Sequence, residues 1–269
     1  MRSITLNNQV QIPVIGYGVW KIEENIEECV SAALEYGYRH IDTAAAYGNE
    51  EGVGKAVRES GIPREEIFIT TKLWNDDMRA NKTKEAFKRS LEKLGLDYVD
   101  LYLIHWPVKD KYIDCYLEME ELYNEGLIRA IGVSNFLKHH LEPLLERCSV
   151  VPAVNQIQIH PRWTQTEYIE YLKQKNIAVE AYSPLGHGAL LDNEIIKEVA
   201  ERYNKTAAQV IIRWHLQRGV IVLPKTQTKE RIKENIEVFD FELSDDDMNL
   251  ISSLNDETCY GAHPDTFDF

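Results

Sequence analysis

The sequence predicts an α/β fold, a single (β/α)8 TIM barrel with an N-terminal β-hairpin plug and extra C-terminal helices, and three observations predict it. Short apolar runs rich in β-branched and aromatic residues alternate with longer amphipathic segments, the pattern of parallel strands joined by crossover helices. Strand starts recur every roughly 25–30 residues, as a strand–helix unit requires. No linker, low-complexity tract or shift in composition divides the 269 residues, so residues 1–269 are expected to form one domain.

The elements follow in order. Ile4–Ile12 alternates on both sides of Asn7-Asn8, which reads as a hairpin able to plug the N-terminal end of a barrel. Eight strands are expected at Val14–Gly18, Tyr38–Asp42, Ile67–Lys72, Val99–His105, Ile128–Val133, Ala153–Ile157, Ala178–Tyr182 and Val220–Pro224. Between them, Glu24–Tyr36, Asn49–Glu59, Lys82–Leu94, Ile113–Asn124, Leu137–Arg147, Gln165–Lys175 and Glu194–Arg202 carry apolar residues at helical spacing. The long interval before Val220 has room for a loop at Ser183–Asp192 and a helix at Ala207–Arg218; Glu230–Asn235 and Asp245–Ser253 add two helices after the last strand. A doubly wound sheet would need a glycine-rich first turn, and no G-x-G-x-x-G occurs.

Composition removes several function classes. Lys+Arg 30 against Asp+Glu 44 gives a net charge of -14, which disfavours nucleic acid and anionic membranes while leaving a small anionic ligand possible in a locally basic pocket. Four scattered cysteines form no CxxC pair, and reduced thiols are expected. Without an apolar h-region at Met1–Asn8 or a long apolar stretch later, a cytoplasmic, membrane-free protein is expected. With no heptad or long apolar surface stripe, monomer is the default. Gly48–Lys55 looks like a phosphate loop, but its glycine spacing is wrong and it reads as a helix start. There is no G-x-S-x-G, and no histidine lies in H-E-x-x-H. His139 and His140 are adjacent on a helix and are expected to point apart, so no metal is expected.

A barrel places its site at the carboxyl ends of its strands, and those ends are polar here. They carry Asp42, Lys72, His105, Ser134 with Asn135, Gln156, Tyr182 with Ser183, and Lys225. Asp42, Tyr47, Lys72 and His105 form a coherent set for carbonyl reduction. The Lys72 ammonium favours ionisation of the Tyr47 phenol, Asp42 holds Lys72 charged, and His105 positions a carbonyl oxygen. The set supplies a proton but no hydride, so a cofactor must bring it. The competing reading is a buried Asp42–Lys72 pair that merely seals the barrel top. A second cluster, Leu223–Asn235, resembles the phosphate site that barrels build after strand eight; Lys225 and Arg231 could grip the phosphate, and Glu234 and Asn235 could bond a purine edge. A solvated charged helix reads equally well from composition. Trp20, Trp74 and Trp106 lie just past strand ends and are expected to line a pocket, whereas Trp163 and Trp214 read as packing residues.

With these residues in view, the chain resembles the aldo-keto reductase family, most closely the 2,5-diketogluconate reductase type, over essentially its whole length. Gly37–Ala44 with Tyr47–Glu50, Thr71–Trp74, Asp100–Pro107, Ile131–Phe136 and the strand-eight segment carry the likeness. The resemblance implies NADPH-dependent reduction of aldehydes, ketones or dicarbonyls, with Tyr47 as general acid in a tetrad with Asp42, Lys72 and His105. It implies that Ser134, Asn135 and Gln156 hold the nicotinamide carboxamide and that Tyr182 stacks on the ring. Ser183 and Leu185 join the cofactor cleft, Lys225, Thr226 and Arg231 contact the 2′-phosphate, and Glu234 and Asn235 contact adenine. Thr226 departs from the family's usual Ser, keeping the hydroxyl and adding a methyl. Trp20, Trp74, His105 and Trp106 would bind substrate, and Cys259, Tyr260, His263 or Phe267 of Asn255–Phe269 could close over it. Two rival readings are a catalytically slow NADPH-binding regulatory barrel and a barrel acting on phosphorylated sugars without a nucleotide.

Overall fold

The computed structural model describes residues 2–269. A two-stranded hairpin, β1 (Ser3–Thr5) and β2 (Gln11–Pro13), pairs Ile4 with Ile12. An eight-stranded parallel sheet follows in sequence order: β3 (Tyr17–Gly18), β4 (His40–Asp42), β5 (Phe68–Leu73), β6 (Val99–Ile104), β7 (Ile128–Ser134), β8 (Val154–Gln158), β9 (Ala178–Tyr182) and β10 (Ile221–Val222). The first and last strands meet. Ile15 bridges Val222, the Gly16 N–H donates to the Val222 carbonyl at 2.9 Å, and the Val222 N–H donates to Val14 at 3.0 Å. The sheet therefore curls back on its own first segment, as the sequence reading expects.

The helices are α1 (Ile26–Glu35), α2 (Glu50–Glu59), α3 (Asn75–Arg79), α4 (Thr83–Leu94), α5 (Tyr112–Asn124), α6 (Lys138–Leu145), α7 (Thr166–Gln174), α8 (Glu194–Tyr203), α9 (Ala207–Gln217), α10 (Lys229–Ile236) and α11 (Asp245–Ser252). The pattern of apolar residues missed α3 and the one-turn 3-10 segments Ala45–Tyr47, Arg64–Glu66 and Gly186–Gly188, because a single turn is too short to show a period. Gly48–Lys55 does open a helix; a positive φ of 68° accounts for Gly48, and close packing accounts for Gly52 and Gly54. A Cβ added at Gly54 would collide with the Leu94 backbone at the end of α4, and one added at Gly52 would collide with Ile26 on α1.

Alternation along the strands sorts side chains between two cores. Ile41, Ile69, Tyr102, Ile104, Ile131, Val133 and Val179 face the helices in the larger cluster. Phe68, Leu101, Leu103, Ala130, Val154 and Ile221 face inward at the barrel floor, together with Leu6 and Ile12 of the hairpin. The hairpin does plug that end. Asn7 Nδ2 donates to the Pro152 carbonyl at 3.1 Å and Asn8 Nδ2 to the Arg129 carbonyl at 2.9 Å, tying the turn to the strand entrances. Trp214 is fully buried and its indole N–H donates to Ser252 Oγ at 2.9 Å, in keeping with a packing role.

Candidate active site

The inward positions change character as the strands rise. On β5 they run Phe68, Thr70, Lys72; on β6 Leu101, Leu103 and then His105; on β9 Ala178, Glu180, Tyr182. The top layer brings together the four residues expected there. Lys72, wholly buried, donates from Nζ to both Asp42 oxygens at 2.7 and 2.8 Å, to the Thr43 carbonyl at 2.9 Å, and toward the Tyr47 hydroxyl at 3.5 Å. His105 lies beside Tyr47, with ring centroids 5.7 Å apart.

Tyr47 ends the 3-10 turn after β4, and the next residues fix that turn. Asn49 Nδ2 donates to the Val19 and Ile22 carbonyls at 2.9 and 3.0 Å, its Oδ1 accepts from Thr43 Oγ1 at 2.7 Å, and buried Glu50 accepts from Thr71 at 2.7 Å. The sequence reading gave Asn49 and Glu50 no role. A carboxylate and an amide at the start of an amphipathic helix look like ordinary surface polarity until their burial is known.

Electrostatics sets the protonation states. Burial opposes the Lys72 ammonium most strongly, but Asp42, through its charge and hydrogen bonds, together with Tyr47 and Glu180 outweighs it and holds the pKa above the ordinary lysine value. Burial, reinforced by Lys72, pushes His105 well below the usual imidazole range, so the ring is neutral at pH 7. Tyr47 corrects one expectation: burial outweighs the pull of Lys72, so the phenol lies above its ordinary value, not below it. The ammonium limits the rise without reversing it.

Around this centre, Asn135 (φ 64°) donates from Nδ2 to the His105 carbonyl at 3.0 Å and to Ser134 Oγ at 3.3 Å, and its Oδ1 accepts from the Tyr182 hydroxyl at 2.7 Å. Gln156 donates from Nε2 to Asp42 at 2.8 Å and to Glu180 at 2.6 Å, which commits both amide hydrogens and leaves Oε1 as its free group. Ser183 (φ 48°) meets His187 Nε2 at 3.0 Å, and Leu185 is half-buried at the start of the turn that follows.

Beyond β10, Lys225, Lys229 and Arg231 are exposed, and among the described residues none pairs with a carboxylate. Thr228 precedes α10 without a side-chain cap, so the first N–H groups of that helix have no side-chain acceptor there. Unpaired cations beside a free helix N-terminus are the donor set an anionic phosphate fits. Thr226 Oγ1 accepts from the Thr228 N–H at 3.2 Å. Glu234 is partly engaged, since Oε1 accepts from Thr206 at 2.7 Å, and Asn235 is buried.

The aromatics divide. Trp74 packs against His105 with centroids 5.2 Å apart, and Trp106 is almost buried. Trp20 stays at the rim, 42% exposed, with Lys21 Nζ 4.4 Å from its ring centre. The C-terminal segment covers the other two. Phe267 packs on Trp106 at 5.0 Å, and Phe269, which the sequence reading did not single out, stacks on Trp74 at 5.8 Å and 6°. Asn75 Nδ2 and Arg79 Nη2 donate to the Phe269 carbonyl at 3.1 and 2.7 Å. Tyr260 instead exchanges two hydrogen bonds with Gln158, at 2.6 and 2.7 Å. Cys259 donates to the Ala262 carbonyl at 3.8 Å, and His263 lies 6.0 Å from Trp163.

The expectation that His139 and His140 point apart does not hold. Both turn Nε2 toward Asp265 Oδ1, at 2.8 and 3.5 Å. His140 bends back to accept the Leu137 N–H on Nδ1, which leaves the proton of its neutral ring on Nε2, facing the carboxylate. The trio thus fastens the C-terminal segment to α6, and His140 offers Asp265 a donor, not a lone pair for a metal.

Comparison with known proteins places the chain in a family. A family model described as the Aldo/keto reductase family matches residues 14–256. A glyoxal reductase of Bacillus subtilis (strain 168) is 53% identical, covering 99% of this chain and 98% of that protein. Methylglyoxal reductase DkgA of Escherichia coli (strain K12) is 46% identical over 98% of this chain and 97% of its own. A Gox0644 variant crystallised in complex with NADPH superposes with a TM-score of 0.95 at 41% identity, covering 100% of this chain and 99% of that one. The chain belongs to the aldo/keto reductase family.

Proposed function

We propose that this protein reduces small aldehydes and dicarbonyls of the glyoxal and methylglyoxal type to alcohols, using NADPH, with Tyr47 as general acid. One observation carries the reading: the Lys72 ammonium bonds Asp42 and reaches the Tyr47 hydroxyl beside a neutral His105. When bound, NADPH supplies the hydride. Neutral His105 donates an N–H to the substrate carbonyl oxygen, which orients it and steadies the charge that develops there. Tyr47 gives its proton to that oxygen, and Lys72, kept charged by Asp42, stabilises the phenolate left behind.

The remaining roles are those that the family resemblance implies. Gln156 Oε1, Asn135 and Ser134 hold the nicotinamide carboxamide, and the Tyr182 ring forms the stacking floor. Ser183 and Leu185 bound the cleft. Lys225, Thr226 and Arg231 take the 2′-phosphate, while Asn235 and the free Glu234 oxygen meet adenine. Relatives named for glyoxal and methylglyoxal, and a neighbour holding NADPH, support the substrate class and the cofactor.

Mixing the protein with NADPH and methylglyoxal should consume the nicotinamide absorbance, and Tyr47→Phe should cut that rate by about 10²–10⁴, the range for losing a positioned acid. Full activity in Tyr47→Phe would show that another group gives the proton. NADPH binding without turnover by the unaltered protein would favour a regulatory barrel.

A further inference from the structure

Glu180, in the middle of β9, is fully buried, and the reaction just described does not use it. Inside the barrel it meets His40 from β4 and Gln156 from β8 and lies within the electrostatic reach of Asp42 on β4 and Lys72 on β5; its register partner on β10 is Ile221, which carries no charge. One oxygen, Oε2, accepts from Gln156 at 2.6 Å. The other, Oε1, has no hydrogen-bond partner among the described residues, and His40 Nε2 stands 3.7 Å away, already bonded to Thr70 Oγ1 at 3.0 Å. His40 cannot serve as a counter-ion, because burial holds its pKa down at about 3. Among the described residues the one ammonium in the layer, Lys72, already has both Asp42 oxygens.

An anionic Glu180 would place a second carboxylate beneath a phenol that must become phenolate, and would leave a buried anionic oxygen unsatisfied. A neutral Glu180 removes the second charge and lowers the other cost, since an uncharged Oε1 facing His40 Nε2 at 3.7 Å costs less to bury than an anionic one. It still accepts from Gln156, and two carboxyl acceptors at 2.6 and 2.8 Å fix the direction in which that amide points.

We propose that Glu180 is a positioning residue for the reduction: as a protonated carboxyl it orients Gln156 and leaves Lys72 balanced by Asp42 alone, and its ionisation weakens Tyr47 as an acid. The proposal rests on the reductase reading, but the protonation it requires is a property of the unliganded protein. Burial and the Asp42 charge push the carboxyl up to about 8, which places the transition within reach of experiment.

The first test is the melting temperature of the protein alone against pH, for the unaltered chain and E180Q. Between the ordinary carboxyl range and pH 8 the folded protein holds a proton on Glu180 that the unfolded chain has released, so stability falls as pH rises through that window and is level above it. E180Q lacks this fall, and the difference between the curves cancels the contribution of shared histidines. The second test is the single-turnover rate of NADPH oxidation from pH 7 to 9. A group titrating near 8 loses about tenfold in protonated fraction over that span, so the unaltered rate should fall by up to about tenfold and the E180Q profile should lack that limb. E180L, which offers Gln156 no acceptor, should raise the KM for NADPH where E180Q does not.

Infrared spectra of the unaltered, glutamate-labelled protein should show a carboxylic acid band at pH 7 that is lost by pH 9, which keeps the test alive if E180Q does not fold. Parallel melting curves, no acid band, or an alkaline limb retained in E180Q would each overturn the proposal. Absence of turnover by the unaltered protein at every pH would overturn the reductase reading and the role built on it, and the melting and infrared arms would still report the protonation separately.

Discussion

The two ends of the barrel interior are built from the same strands by opposite rules. At the floor, Phe68, Leu101, Leu103 and Val154 close around Leu6 and Ile12 of the hairpin, with no charged group in the cluster. Two to four residues further along those strands, on the same face, stand Thr70 and Lys72, His105, Gln156 and Gln158. The floor is held by the transfer of apolar surface and by packing, which tolerates imperfect detail. The upper layers are held by hydrogen bonds among groups that would each be costly to bury alone. What separates a stabilising end from a chemical end is therefore the interdependence of its parts, and substitutions can expose that difference.

The largest effect should come from dividing the Asp42–Lys72 pair. Lys72→Met leaves a buried carboxylate without its ammonium and should cost about 3–5 kcal/mol of stability, read by urea denaturation. Asp42→Asn made together with Lys72→Met should recover most of that loss, since an amide and a thioether need no counter-charge. Activity should stay near background in both, because neither retains an ammonium beside Tyr47. Equal destabilisation in the single and double variants would mean that the upper layer is held by packing, like the floor.

At the opposite end, Leu6→Ala should cost about 2–4 kcal/mol through lost burial and a residual cavity, seen as a fall in melting temperature. The kcat/KM of the folded fraction should not change. A loss of kcat/KM comparable to the stability loss would show that the hairpin plug transmits to the site and that the two ends are not separable.

The same contrast explains what the sequence disclosed. The floor and the helix-facing core follow from periodicity, because burial there depends only on apolar character at fixed spacing, and the hairpin plug follows from alternation around Asn7-Asn8. Asp42, Lys72 and His105 were legible because they close apolar runs at the strand ends, and Tyr47 because it follows one of them closely. Glu180 was not, although it lies two residues before Tyr182 on the same face; an acid within an apolar run says nothing of its neighbours until the barrel closes. The direction of the Tyr47 shift escaped for a similar reason, since the identity of a nearby cation is visible in a sequence and the depth of burial is not. Phe269 and the meeting of His139 with Asp265 depend on the path of an irregular segment, which periodicity does not describe.

The segment proposed to take the 2′-phosphate tests a third kind of construction, in which the charges are exposed and, among the described residues, unpaired. Lys225→Ala or Arg231→Ala should leave stability nearly unchanged, because removing an unpaired surface cation breaks no buried contact. Each should raise the KM for NADPH by about tenfold, equivalent to 1.4 kcal/mol, while changing the KM for NADH far less. Parallel changes for both cofactors would move the role of these cations away from the 2′-phosphate.

The smallest effect is expected where the C-terminal segment meets α6. Asp265 is about half exposed, so its contacts with His139 and His140 are screened by water, and Asp265→Asn should cost well under about 1 kcal/mol. Its effect should appear at the pocket, because Asp265 lies two residues before Phe267 and four before Phe269, the rings that cover Trp106 and Trp74. Loosening that attachment should change the KM for a bulky aromatic aldehyde by about twofold to fivefold, the scale of a fraction of a kcal/mol, and leave that for methylglyoxal in place. Acid should lower the stability of the fold through one of the same histidines. Burial holds the folded pKa of His140 at about 4, below its unfolded value, so the unfolded chain binds the extra proton between roughly pH 6.5 and 4 and stability falls as pH is lowered through that window. His140→Gln should flatten part of that fall. If the fall is unchanged, other buried histidines account for the acid sensitivity, and His140 matters only as the donor that faces Asp265.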